Sequence, residues 1–463
     1  MNQGHNSKAY DAIKLLLDQN SFVELSGSVC ARTTDFTINE LSEESDGVIT
    51  GYGLMNGRAV FVFSQDAEVL QGSMGEMHCK KIEELYNMAI KVGAPVVALL
   101  NSTGMRIQES ADCLTAFGNV INAVNNASGL VPLFTVVTGN CGGGLSLIPS
   151  MSDFNYVVKD EGHLFVNAPN TIDNNYTEKC DSSAGEFRGK YTGVVDDCLT
   201  LEEIRNAIIN ILNLVPLNNT EGVTTYECND DLNREITTTF DTFEPYNLIA
   251  EIADNNIFVE TKKLYAPDMI TGFIPMNGIT VGVIANNDKD GRITVDALRK
   301  ADSFALYCDA YEIPMLFIED AVGFEATMCA EKHIAKEMAA FVKTLCEADI
   351  PKITLIPRRA YGTPYVMMNS KAIGADFVYA YERASIGMMP AEFAGKILFG
   401  DDPEAQAKTA DFNTTHQSAI AFAKRGAVDR IIAEKDTRKY LLSAYDLLYT
   451  KYNAVCDKKH GLR

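Results

Sequence analysis

Positive charge is scarce in this sequence. Lys and Arg number 40 against 62 Asp and Glu, a formal charge of −22 at pH 7, and that balance excludes a general nucleic-acid-binding surface. Only six histidines occur, none in an H-x-x-x-H arrangement, and the eleven cysteines contain no C-x-x-C pair. Both absences argue against a zinc site, so no metal is expected on this chain. The cysteines read mostly as buried free thiols, not as a disulfide framework. No apolar run is long enough to span a membrane, and the first ten residues lack a basic region followed by an apolar core. The expected location is the cytoplasm. A small anionic ligand stays open, provided positive charge or backbone N–H groups are gathered locally.

What is present is an α/β pattern over 463 residues, long enough for two domains. It is organised around Leu133-Phe-Thr-Val-Val-Thr-Gly-Asn-Cys-Gly-Gly-Gly144. An apolar run ends at Thr138 and feeds a glycine turn and an apolar segment that could continue as a helix. The first N–H groups of a helix lack intrahelical partners, so such a corner suits an anion or a charge that develops during reaction. Upstream, a helix is expected from Ser7 to Asn20, a hairpin turn at Asn56-Gly57, strands at Ala59–Phe63 and Val96–Leu100, and helices over 78–92 and 110–128.

The pattern then repeats. Pro95 and Pro314, Gly104 and Gly323, Pro132 and Pro351, and Gly143 and Gly362 are each 219 positions apart (323 − 104, for example). Asn277-Gly278 stands before a strand as Asn56-Gly57 does. Two copies of one domain are therefore predicted, over 1–225 and 246–463, with a linker at 226–245 inside a stretch rich in Asn, Thr, Asp and Glu. Each copy offers two loops at the ends of neighbouring strands. They are Ser102–Arg106 and Cys141–Gly144 in the first, and Asp320–Phe324 and Ala360–Thr363 in the second. One N–H from each loop of a copy could converge on one oxygen, giving two oxyanion holes.

Several ordered motifs carry a resemblance across nearly the whole chain. They include Asp46-Gly-Val-Ile-Thr-Gly-Tyr-Gly53, Gly72-Ser-Met-Gly-Glu-Met-His78, Gly104-Met-Arg-Ile-Gln-Glu109, Gly139-Asn-Cys-Gly-Gly-Gly144 and Lys352-Ile-Thr-Leu-Ile-Pro-Arg-Arg-Ala-Tyr-Gly362. The sequence resembles the carboxyltransferase subunits of biotin-dependent acyl-CoA carboxylases and decarboxylases. The resemblance implies a tandem duplication of a crotonase-like superhelical domain. It implies transfer of a carboxyl group between biotin, carried on a separate protein, and the α-carbon of a short-chain acyl-CoA. Propionyl-CoA/methylmalonyl-CoA is favoured, since no zinc ribbon is present, and acetyl-CoA stays open.

By the same resemblance Gly143 and Gly144, with the Met105 N–H, would hold the thioester oxygen. Gly362 and Thr363, with the Phe324 N–H, would hold the biotin ureido oxygen. Further substrate contacts are expected from Gly104, Arg106, Gly142 and Tyr361. Implied partners are a biotin carboxyl carrier protein, with a biotin carboxylase or decarboxylase membrane subunits. A homo-oligomer is also implied, a dimer as the active unit and a hexamer as the assembly. The second half departs from the family: Tyr361-Gly-Thr-Pro-Tyr365 stands for Tyr-Gly-Gly-Ala-Tyr, and Pro364 has no N–H to donate.

Single residues leave alternatives open. Arg106 could meet a CoA phosphate or tie its loop by an ion pair. Lys80 and Lys81 read as CoA contacts or, more simply, as a solvated helix face. His78 reads as structural, and Asp320 as a loop anchor. Two rival functions remain: the carboxyltransferase subunit of a sodium-translocating decarboxylase, and a non-catalytic CoA-binding scaffold.

Overall fold

The computed structural model describes residues 7–34, 45–177, 179–222 and 226–451. The chain falls into two compact units, Met1–Gly222 and Val223–Arg463. In the first unit the strands are β1 (Val23–Leu25), β2 (Val48–Met55), β3 (Arg58–Gln65), β4 (Val96–Ser102), β5 (Leu133–Gly142), β6 (Phe154–Val158), β7 (His163–Phe165) and β8 (Asp197–Leu199). The main sheet runs β1-β2-β3-β4-β5-β6-β8, and β7 pairs with the far end of β5. From β3 onwards the pairing is parallel. The helices Glu76–Val92 and Ser110–Ala127 cross between parallel neighbours, as parallel connection requires. Their apolar sides, including Ile82, Leu85, Val120 and Val124, bury against Phe63, Ala98 and Leu100.

The second unit holds β9 (Val259–Thr261), β10 (Met269–Met276), β11 (Ile279–Asn286), β12 (Arg292–Ile293), β13 (Met315–Ile318), β14 (Gly323–Phe324), β15 (Lys352–Ile356), β16 (Arg359–Tyr361), β17 (Phe377–Tyr381), β18 (Ser385–Gly387) and β19 (Arg430–Ile432). Its main sheet runs β9-β10-β11-β13-β15-β17-β19, the order of the first sheet strand for strand. The two short pairs β12-β14 and β16-β18 stand at the ends of the main strands.

Both hairpins are made as their turns demand. Asn56 and Gly57 have φ of 51° and 78°, and Asn277 and Gly278 have 51° and 82°. Two successive positive φ values suit the twist of the flanking strands. The segment read as a linker contains no helix or strand from Tyr226 to Glu244, yet Ile236 and Phe243 are buried in the second unit's core.

Two expected elements have other limits. The first helix is Lys8–Leu16, capped by the Ser7 hydroxyl, and stops short of Asn20. The Asp18 carboxylate beyond it accepts the Asn56 and Gly57 N–H groups, which holds that residue outside the helix. The second difference is at the glycine corner. β5 does not end at Thr138 but continues to Gly142, because Asn140, Cys141 and Gly142 pair with β7. The turn therefore begins at Gly143, as a 3-10 turn over Gly143–Ser146 followed by the short helix Leu147–Met151. Among the described residues no helix is long and apolar enough to cross a membrane.

Candidate active site

In the first unit the ends of β4 and β5 flank a cavity of about 540 Å³ lined by Met74, Gly104, Met105, Phe117, Gly143, Gly144 and others. Gly143 has φ 60° and Gly104 φ 104°, and a Cβ on either would meet nothing within 4 Å. Both backbones face open space, which lets a ligand come close. Gly143 and Gly144 open a helical turn, so their N–H groups have no acceptor within it. The Met105 N–H is left available in another way. Arg106 N–H donates to the Met74 carbonyl at 2.9 Å, and Met74 N–H to the Gly104 carbonyl at 2.8 Å. Alternation along that bridge leaves the Met105 N–H outside it, on a residue lining the cavity.

Beneath this loop lies a buried ionic cluster. Arg106 is 2% exposed. Its Nη1 contacts the Asp46 carboxylate and lies 2.8 Å from Glu109 Oε1, and its Nη2 donates to the Ser73 carbonyl at 2.7 Å. The other Glu109 oxygen accepts the Glu76 N–H, at the start of the helix Glu76–Val92. Arg106 thus ties its loop, and it is not placed to meet a CoA phosphate. Gly75 is adjacent, and a Cβ there would lie 2.2 Å from Glu109 Oε1.

A second, neutral relay links the same elements. His78 Nδ1 donates to the Asp46 carbonyl at 2.8 Å, and Gln65 Nε2 donates to His78 Nε2 at 3.2 Å. Gln65 Oε1 accepts the Asn101 N–H, and Asn101 Oδ1 accepts the Asn140 N–H. The orientation follows from Gln65, whose oxygen is already taken by a donor. Burial drives the His78 pKa down to about 3, so the ring stays neutral, as a structural histidine. The relay ends on the strand that delivers Gly142 and Gly143. Sequence reasoning missed Gln65 and Asn101 in this role: both lie just past the strands expected over 59–63 and 96–100, and β3 and β4 extend to include them. Lys81 is not on a solvated helix face: it is buried, with Nζ donating to the Val48 carbonyl.

The second unit repeats the corner with the same register. Met74 pairs with Met105, and Ile293 with Phe324; Ser102 pairs with Cys141, and Ala321 with Ala360. Each of these residues has its counterpart 219 positions on (293 − 74, 360 − 141). Gly362 has φ 64°, matching the 60° of Gly143, and opens the helix Gly362–Met367. Gly362 and Thr363 carry that helix's first two N–H groups, and Pro364 follows with none. Gly323 and Glu325 donate to the Gly291 and Ile293 carbonyls, so alternation leaves the Phe324 N–H on the opposite edge. Asp320 anchors this loop, contacting Arg358 at 2.6 Å and Arg359 at 2.8 Å. The Tyr361 hydroxyl donates to Ser385 Oγ at 2.8 Å, so its side chain braces β16 against β18.

Two corners with the same backbone, made by residues at the same repeat spacing, leave the family to be decided. Residues 3–462 match the Carboxyl transferase domain. The chain belongs to the carboxyl transferase family. This carboxyl transferase is 38% identical to the propionyl-CoA carboxylase beta chain of Roseobacter denitrificans, over 98% of its own length and 92% of the relative's. It is 35% identical, over the same shares, to the methylmalonyl-CoA decarboxylase subunit alpha of Veillonella parvula. Among solved structures it superposes on transcarboxylase 12S, a hexamer with methylmalonyl-coenzyme A bound, with a TM-score of 0.92 at 31% identity. That match covers 98% of this chain and 92% of the other. The duplicated crotonase-like fold and the acyl-CoA carboxyltransferase class expected from the resemblance are thereby shown.

Proposed function

We propose that this carboxyltransferase moves a carboxyl group between biotin on a carrier protein and the α-carbon of propionyl-CoA/methylmalonyl-CoA. The observation that carries the reading is the matched left-handed turn at Gly143 and Gly362, one per half, each opening a helical turn whose first N–H groups have no acceptor within that turn. Gly143, Gly144 and Met105 N–H groups hold the thioester oxygen as charge builds on it. Gly362, Thr363 and Phe324 N–H groups hold the ureido oxygen. The donor set fits neutral oxygens that gain charge in the transition state, since neutral amides reward that gain and cost little reorganisation. Biotin, on its own chain, supplies the carboxyl group and the nitrogen that takes the α-proton. The described lining of the first corner's cavity supports this division, since it holds no histidine, lysine or carboxylate.

Similarity to both a propionyl-CoA carboxylase beta chain and a methylmalonyl-CoA decarboxylase subunit alpha supports the chemistry and leaves its direction to be tested. The carrier, a carboxylase or membrane partner, a hexameric assembly and a cytoplasmic location complete the proposal. The test is exchange between methylmalonyl-CoA and free biotin, with an acyl-CoA panel. Exchange that prefers methylmalonyl-CoA over malonyl-CoA is expected. CoA binding without any exchange overturns the reading in favour of a scaffold.

A further inference from the structure

The two corners share a backbone but differ in the wall beside it. At Gly143 a Cβ would meet nothing within 4 Å, whereas at Gly362 it would lie 3.3 Å from the Met388 carbonyl oxygen. No backbone or side-chain donor of the described residues is bonded to that oxygen. The next carbonyl, Met389, accepts a hydrogen bond from Gln417 Nε2 at 2.8 Å. Gln417 is 3% exposed, and its Oε1 has no partner among the described residues. It closes a single π-helical turn, Asn413–Gln417, an element that concentrates at functional sites.

Room for the carboxamide comes from Gly387, where a Cβ would stand 2.7 Å from Nε2. Gly387 pairs with Tyr361 at the end of β16. In the first unit the equivalent pair is Gly142 and Phe165, and there the Phe165 ring fills the space, 2.5 Å from a Cβ on Gly142. One half closes its corner with a ring. The other uses a glycine and a buried carboxamide that steadies a carbonyl.

This difference matches the chemistry of two unlike ligands. A thioester oxygen has no hydrogen-bond donor beside it and needs only N–H groups. A cyclic urea has an acceptor oxygen flanked by N–H groups, so it is matched by donors with a carbonyl next to them. We propose that Gln417 is a positioning residue of the second corner. It fixes the Met388–Met389 backbone so that the Met388 carbonyl accepts a ureido N–H while the oxygen rests on the Gly362 donors. The inference rests on the reading of that corner as the ureido site.

The test uses the full chain in its native assembly and exchange between free biotin and methylmalonyl-CoA. Gln417→Ala removes the carboxamide, Gln417→Glu keeps its size and removes the donor, and Gly387→Ala displaces it. In each, KM for free biotin is expected to rise about tenfold, the weight of one net hydrogen bond, with KM for methylmalonyl-CoA unchanged. An unchanged biotin KM in Gln417→Glu, or an equal rise for both substrates, overturns the proposal and leaves the function standing. A wild-type chain that exchanges with neither substrate overturns both.

Discussion

At the residue scale the site depends on buried polar groups, some paired as ions and one, His78, kept neutral. His78 is the clearest of them. Burial holds its folded pKa near 3, whereas an unfolded histidine titrates near 6.5. Between those values the unfolded state binds the extra proton, so falling pH favours unfolding. Stability is lost from about pH 6.5 down to about 3, with a slope from this group of about 1.4 kcal/mol per pH unit. Above pH 6.5 the group contributes no slope. His78→Gln should flatten that part of the curve relative to wild type, measured by urea denaturation at a series of pH values. An identical slope in the two proteins would remove His78 from the account.

The same scale shows where sequence reading stops. Arg106 stood in the right loop, but nothing local to Gly104-Met-Arg-Ile-Gln-Glu109 says that Asp46 and Ser73 will close around it. Lys81 lies on a helix with alternating charge, and only the tertiary fold places the Val48 carbonyl over its ammonium. Gln65 and Gln417 give no signal at all, because a glutamine has no periodicity and its partners lie in distant parts of the chain.

At the element scale much more was legible. Hairpin turns, buried strands and amphipathic helices are set by near neighbours, so their chemistry is written locally. The end of β5 was not, because its last three residues are held in the strand by β7, some twenty positions later. The paired hairpins give a sharp comparison. Gly57 and Gly278 have the same positive φ, but a Cβ on Gly57 meets nothing, and on Gly278 it lies 2.6 Å from the Tyr226 carbonyl. Gly57→Ala should therefore cost only the backbone preference, about 1 kcal/mol. Gly278→Ala must also displace the Tyr226 backbone, whose N–H donates to the Gly278 carbonyl at 2.9 Å. It should cost at least twice as much in chemical denaturation. Equal costs would mean that the irregular segment yields freely.

At the scale of the whole molecule the duplication is the functional argument. One fold copied with its corner intact, and with a different wall on each copy, supports a division of substrates between the halves. Gly143→Ala and Gly362→Ala test that division, since each puts a methyl group on a donor residue and strains a left-handed turn. The Gly143 side is open and the Gly362 contact is 3.3 Å, so both chains should fold, with a loss of about 1–2 kcal/mol. Each should lower kcat for carboxyl exchange on the order of 10², the weight of one misplaced oxyanion donor. The accompanying KM effects should separate. Gly143→Ala should raise KM for methylmalonyl-CoA alone, and Gly362→Ala should raise KM for free biotin alone, measured in the same exchange assay. If both substitutions raised the same KM, one corner would be serving both substrates, and the second would be left as a structural relic of the duplication.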